Sequence, residues 1–249
     1  MAGEFLVSYR TLKRYNGDSE EVHIPENIEK IDENAFLGNK SVKRIYLPRS
    51  LLLVEDYAFA DCSNLRELVL PRFNTLFGPE FKQLAFYWSN IRTIVLSKYV
   101  FAVQRNIKDM LMQFTGKYIE NIFVEPENKK LLDINGNVFS KDKTKFIAYA
   151  RGKKETKYDI PNGVVSIGDK AFASSKLQSV TIPSTVKEIK EEAFVNCKEL
   201  KEIYIPTSVE KIGITAFDEC KSLKQILLPE EFRKNKDFVM SLPYEAEFY

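Results

Sequence analysis

The sequence predicts a solenoid of short, stacked parallel strands, and three observations predict it. An apolar residue followed by proline returns at a nearly fixed step. Ile24-Pro25, Leu47-Pro48 and Leu70-Pro71 lie 23 residues apart, and Ile160-Pro161, Ile182-Pro183, Ile205-Pro206 and Leu228-Pro229 follow at steps of 22, 23 and 23. An Ala-Phe pair keeps the same beat at Ala35-Phe36, Ala58-Phe59, Ala171-Phe172, Ala193-Phe194 and Ala216-Phe217. Before most of these prolines the chain reads L-x-x-L-x-L, and the alternation at its end suits a strand with one inward face. A period of about 20–29 residues marks a solenoid, whose single units cannot bury their apolar faces alone.

Residues 200–228 show one complete unit. Leu200, Ile203 and Ile205 form the strand frame. Pro206 ends the strand, because proline has no N–H to give to a ladder. Val209 and Ile212 turn inward on the next side. Ala216 and Phe217 sit on a short helical turn or loop, with Phe217 filling the gap between coils. Leu223 opens the next strand. The same frame fits Val42-Ile45-Leu47, Leu65-Leu68-Leu70, Ile91-Ile94-Leu96, Ile119-Ile122-Val124 and Leu177-Val180-Ile182. Partial strands at Val22-Ile24 and Tyr158-Ile160 begin the two runs. The expectation is nine strands in one curved parallel sheet, about 40 Å long at about 4.8 Å per strand, with an irregular or short-helical convex side.

Two stretches leave the beat. The unit between Pro71 and Ile91 is longer and holds Trp88 and several Phe. Between Ser97 and Tyr118 the Ala-Phe signature is missing, and Ile107, Met110, Leu111 and Phe114 have the spacing of an amphipathic helix over 106–114. Residues 131–150 read as hairpin strands, with a tight turn at Asn135-Gly136 and a second at Lys141–Lys143. Open solenoid ends need covers. The division that follows is a single domain over 1–249: an N-terminal hairpin cap at 1–19, a first repeat run at 20–130, an inserted hairpin at 131–154, a second run at 155–228 and a C-terminal cap at 229–249. The two hairpins suggest that hairpin plus repeats is written twice. In the tail, Phe232, Phe238, Val239 and Leu242 are candidates to cover the last coil.

Composition narrows the function. Apolar residues make up 44% of the chain and charged residues 29%, as in ordinary globular proteins. The net charge of +2, with both signs intermixed, gives no electrostatic case for nucleic acid or anionic membrane. No run approaches the roughly 18–20 apolar residues of a membrane span, and the first residues do not read as a secretory signal. Cys62, Cys197 and Cys220 each follow an Ala-Phe phenylalanine by three residues, where sister units hold Asn39 and Ser175. They read as buried structural thiols in a place that wants a small side chain. A disulfide framework is not expected from an odd count, although Cys197 and Cys220 fall at equivalent places in adjacent coils. The single histidine, His23, lies on an outward strand position without a catalytic companion. The cysteine spacing does not make a zinc motif, and no phosphate-binding glycine loop occurs. No catalytic residue, metal or cofactor is expected.

The strand frame gives a sharper expectation. In each frame the residue between the last two apolar positions points out of the sheet. That row reads His23, Tyr46, Val69, Val95, Phe123, Asp159, Thr181, Tyr204 and Leu227. Two residues earlier runs a polar row: Glu21, Arg44, Glu67, Thr93, Asn121, Lys157, Ser179, Glu202 and Gln225. Tyr46, Val69, Val95, Phe123 and Tyr204, with Arg44 and Glu67, are the candidate partner-binding residues. Sheet propensity alone also favours β-branched and aromatic residues there, so both readings stand. Lys43, Arg44, Arg66 and Arg92 would favour an acidic partner, diluted by Glu21 and Glu67.

The unit IPSTVKEIKEEAFVNCKELKEIYIP (182–206) resembles the BspA-like, Treponema-type class of leucine-rich repeat. The stretch NGNVFSKDKTKFIAYARGKKETKYDIPNGVVSIGDKAF is similar to that family's hairpin-plus-repeat unit. The resemblance covers about four fifths of the chain and implies a leucine-rich-repeat solenoid. It implies a non-catalytic protein–protein interaction module, of a kind used in bacterial surface adhesion or host-protein binding, and hence a cell-surface or secreted setting. Two alternatives stay open: an intracellular scaffold or regulatory binding protein, and a carbohydrate-binding module using Tyr46, Phe123 and Tyr204.

Overall fold

The computed structural model describes residues 4–74, 78–82, 84–100, 119–228, 230–234 and 247–248. The chain forms two compact units, Met1–Leu131 and Leu132–Tyr249, and each is a solenoid of stacked parallel strands.

The first unit starts with an antiparallel hairpin, β1 (Phe5–Ser8) and β2 (Thr11–Tyr15). Tyr9 and Arg10 both take positive φ, 46° and 63°, as a two-residue hairpin turn requires. One ladder then stacks β3 (Glu21–His23), β5 (Arg44–Tyr46), β7 (Glu67–Leu70), β9 (Thr93–Leu96) and β10 (Asn121–Val124). A second ladder continues from the hairpin through β4 (Lys30–Ile31), β6 (Leu53–Val54) and β8 (Glu80–Phe81).

The second unit repeats this plan. The strands β11 (Leu131–Ile134), β12 (Asn137–Ser140) and β13 (Lys145–Ala148) lead into β15 (Ser166–Ile167), β17 (Glu188–Ile189) and β19 (Lys211–Ile212). Its other ladder is β14 (Lys157–Asp159), β16 (Ser179–Thr181), β18 (Glu202–Tyr204), β20 (Gln225–Leu227) and β21 (Glu247–Phe248). A single turn of helix, α1 (Glu230–Arg233), follows β20, and its Phe232 packs on the core.

The stacked-strand class is therefore the one the repeat predicts, but the strands are not all in one sheet. The nine expected strands divide between two ladders, β3, β5, β7, β9 and β10 in the first unit and β14, β16, β18 and β20 in the second, and two further ladders run beside them. The expected helix over 106–114 lies outside the described residues, as do Phe238, Val239 and Leu242.

The same packing recurs in every coil. The inward strand residues Val22, Ile45, Leu68, Ile94 and Ile122 are buried. The Ala-Phe corner is held by a residue in the left-handed region two places after each phenylalanine: Gly38, Asp61, Trp88, Ser174, Asn196 and Glu219. Five of these six are not glycine, so the fold imposes a conformation that side chains resist. Coil-to-coil bonds supply the constraint, with Phe36 N to Ala58 O at 2.7 Å and Phe194 N to Ala216 O at 2.8 Å. The phenylalanine rings stack into a column: Tyr15, Phe36, Phe59 and Phe86 at centroid spacings of 5.0, 4.9 and 5.1 Å. Ala85-Phe86 is thus the Ala-Phe pair of the long third coil, delayed by its extended loop.

The duplication suggested by the sequence is visible atom by atom. Leu12 pairs with Ile31 as Phe146 pairs with Ile167. Tyr15 N donates to Ala35 O and Tyr149 N to Ala171 O, both at 2.8 Å. Each tyrosine ring heads its phenylalanine column, and among the described residues neither buried hydroxyl has a hydrogen-bond partner.

Asn135 and Gly136, both at positive φ, make the first turn of the inserted hairpin. At the second turn the Asp142 carboxylate accepts hydrogen bonds from Ser140 Oγ at 2.6 Å and from Thr144 N at 3.0 Å and Oγ1 at 2.8 Å. The Ser140 bond, then the Thr144 bonds, lower its pKa to about 2. A depressed folded pKa contributes stability that is full above the unfolded value of about 3.9 and is lost as pH falls through the folded one. An NMR titration of the Asp142 carboxyl is expected to have its midpoint about pH 2, and Ser140→Ala to move it upward. A midpoint near 3.9 in the parent protein would refute this turn geometry.

Candidate functional site

The outward row forms as the frame predicts. In the first unit His23, Tyr46, Val69, Val95 and Phe123 are paired strand to strand in unbroken register. Asp159, Thr181, Tyr204 and Leu227 do the same in the second unit. Neighbours in a parallel ladder are about 4.8 Å apart, so each row is a continuous ridge of side chains.

Exposure along the ridge is uneven. Phe123 is 41% exposed and Tyr204 49%, while Tyr46 and Val95 are half-buried. Val69 retains only 7% and is a correction to the expected open run. It sits between Tyr46 on one side and Val95 on the other. The exposed His23 ring stacks on Tyr46 at 3.8 Å with an interplanar angle of 8°. Tyr46 and Phe123 are three ladder steps apart, β5 to β10, so they do not make a contiguous aromatic platform.

In the polar row beside it the arginine is paired on both sides. Arg44 Nη1 lies 3.0 Å from Glu21, and its Nε donates to Glu67 at 2.6 Å. The bond that Arg44 donates to Glu67, then the one it donates to Tyr46, raise its pKa. Lys43 pairs with Glu20 at 2.5 Å, and Arg92 pairs with Glu120. Arg66 Nη1 donates to the Ser63 carbonyl at 2.6 Å. The basic residues read from the sequence as attractors of an acidic partner are thus committed within the fold. In the second unit Lys157, Asp159, Ser179, Thr181, Glu202 and Tyr204 are among the residues lining an open groove of about 530 Å³ on the ladder face.

One row escaped the sequence reading. Three residues beyond the outward position, in the turns that follow β5, β7 and β9, stand Arg49, Arg72 and Lys98, all exposed. Counting three places on from the same frame would have found it. Arg49 lies over the Tyr99 ring at 4.8 Å and Lys98 at 5.3 Å.

The thiols are structural in the manner the repeat suggests. Cys62, Cys197 and Cys220 are free and buried. Each donates at 3.1 Å to the carbonyl of the preceding coil's phenylalanine: Phe36, Phe172 and Phe194. Burial pushes Cys62 up to about 12, and a hydrogen bond with Cys197, together with burial, raises Cys220. A buried thiol held protonated is a poor nucleophile. Among the described residues no three His, Cys, Asp or Glu side chains gather as a metal set, and no helix is long and apolar enough to cross a membrane.

Residues 14–147 and 142–241 match the family described as BspA type leucine rich repeat region, in six copies. Among solved structures, a leucine-rich repeat protein from Eubacterium ventriosum is 22% identical with a TM-score of 0.49, covering 87% of this chain and 64% of its own. The pneumococcal vaccine antigen PcpA is 19% identical at a TM-score of 0.46, covering 92% and 73%. A leucine rich cell surface protein from Faecalibacterium prausnitzii is 16% identical at 0.46, covering 100% and 93%. A search of curated proteins gives no match.

Proposed function

We propose, from the premise that this chain belongs to the BspA-type leucine-rich-repeat family, that it is a non-catalytic protein–protein interaction module that binds through its strand-ladder faces. The repeat family supports a protein-interaction role in general. The finer reading, in which the ladder of the first unit and Tyr204 of the second carry the contact, is supported by one observation above others. An outward row stays in strict register over five strands and keeps Phe123 open to solvent at its end. Large aromatic side chains in such places are the usual anchors of protein contacts. Bacterial surface adhesion or host-protein binding is the setting that the family implies.

A second reading, an intracellular scaffold using the same faces, is favoured by three thiols that remain unpaired. Locating the native protein in the cell separates the two settings.

The test is affinity capture from host extract with the parent protein and with Tyr46→Glu/Phe123→Glu/Tyr204→Glu, after circular dichroism has established that the variant is folded. Val69 is left alone because a charge there would be buried. A partner retained by the parent and lost by the variant supports the ladder face. Equal recovery would reject it and leave the aromatic residues to sheet packing.

A further inference from the structure

Several cations of the first unit pair with carboxylates of neighbouring coils. Lys30 pairs with Glu55, Lys40 with Asp61, Lys43 with Glu20, and Arg44 with Glu21 and Glu67. Arg49 and Lys98 are different: among the described residues neither side chain has an ion-pair partner. The two carboxylates that could neutralise them are turned to their backbones instead. Glu26 accepts from Arg49 N at 3.1 Å, and Glu125 accepts from Lys98 N at 2.8 Å.

The two free charges converge. Both lie against the single Tyr99 ring, so they are no more than about 10 Å apart, the screening length at 0.1 M salt. Arg72 stands in the same row on the coil between them. The strip is local, since the equivalent positions in the second unit are Asn162, Ser184, Thr207 and Glu230.

We propose that Arg49 and Lys98, both over the Tyr99 ring, form a docking strip for an acidic segment of a protein partner, with Arg72 in the same row on the coil between them. The inference names the partner's chemistry for the interaction-module reading and rests on it. Charge complementarity specifies carboxylates, and three coils at about 4.8 Å span roughly three or four extended residues. A polypeptide fits better than a nucleic acid on two counts. The Tyr99 ring is engaged by two cations and is not offered to a base. The strip also lies beside the apolar row of Tyr46 and Val95, where an acidic segment can place its apolar side chains.

The probe is a fluorescently labelled octaglutamate peptide, measured by anisotropy in about 20 mM salt, where screening is weak. The parent protein is expected to bind it, and added salt to release it. Arg49→Gln/Lys98→Gln is expected to weaken binding by about ten-fold or more. Lys187→Gln, which removes an exposed cation of the second unit paired with Glu210, is expected to leave it unchanged. Unaltered binding in Arg49→Gln/Lys98→Gln, or no binding by the parent, overturns the strip. A sulfated oligosaccharide that binds through these residues while octaglutamate does not would also overturn it, in favour of a glycan. The peptide reads the strip alone, whereas capture with the Tyr46, Phe123 and Tyr204 variant reads the ladder face, so either can fail while the other stands.

Discussion

Phe194→Ala is expected to lower the stability of the second unit by about 3–5 kcal/mol, the range for emptying a fully buried phenylalanine site. The ring is 0% exposed and stacks between Phe172 at 5.0 Å and Phe217 at 5.2 Å, nearly parallel to both. Removing it opens a gap in the middle of the column, and neither neighbour can close it without leaving its own corner. Those corners are pinned by backbone bonds, Phe172 N to Ala193 O and Phe194 N to Ala216 O, both at 2.8 Å. Collapse is therefore resisted, which puts the cost in the upper part of the range for such substitutions. Urea denaturation followed by far-ultraviolet circular dichroism measures it. A loss below about 1 kcal/mol would mean that the column is not a close-packed core. Phe194→Leu, which keeps much of the volume, should recover a large part of the loss.

Asn128→Ala is the second large effect, from a polar residue. Asn128 is 1% exposed and uses its whole side-chain amide. Its Nδ2 donates to the carbonyls of Ser97 at 3.0 Å and Val100 at 2.8 Å, and its Oδ1 accepts from the amides of Lys130 and Leu131, each at 2.9 Å. One side chain thus joins the turn after β9 to the turn after β10. Truncation removes a partner from four backbone groups; the Ser97 carbonyl keeps its bond from Val100 N, while each buried group left unsatisfied costs about 1–3 kcal/mol. A loss of roughly 3 kcal/mol or more from the first unit is expected. Asn128→Asp separates donor from acceptor. The carboxylate keeps both amides but faces two carbonyls, so its penalty should shrink as acid protonates it. A negligible, pH-independent loss in Asn128→Asp would show that the two carbonyl contacts carry no weight.

The features that announce themselves in the sequence are those that repeat. The Ile-Pro and Leu-Pro beats fixed the strand frame, and that frame located every outward residue in its correct register, His23 to Phe123 and Asp159 to Leu227. The thiol position was legible for the same reason. The second ladder was not, because pairs such as Lys30–Ile31 and Glu188–Ile189 are too short to show an alternation. Ala85-Phe86 was hidden by the longer loop before it, which broke the count. Side-chain pairing was beyond the pattern altogether. Nothing in the row Glu21, Arg44, Glu67 says that the arginine spans both carboxylates. The burial of Val69 likewise depends on what flanks it across the ladder, Tyr46 and Val95. The unpaired character of Arg49 and Lys98 depends on where Glu26 and Glu125 turn. These are facts of three-dimensional adjacency, and a periodic frame gives only candidates for them.

The two hairpins have a consequence for how such a chain changes over generations. Each hairpin pairs in its ladder with the coil that follows it, Leu12 to Ile31 and Phe146 to Ile167. Everything downstream is held by bonds from one coil to the next. An unequal exchange that copies or deletes one whole coil therefore leaves the starting structure untouched and restores every neighbour contact across the splice. An exchange of any other length throws the phenylalanine column out of step. Heritable variation in this chain is thus quantised, in lengths of ridge and in the number of outward residues presented, and the opening hairpin is the fixed point from which each length is measured.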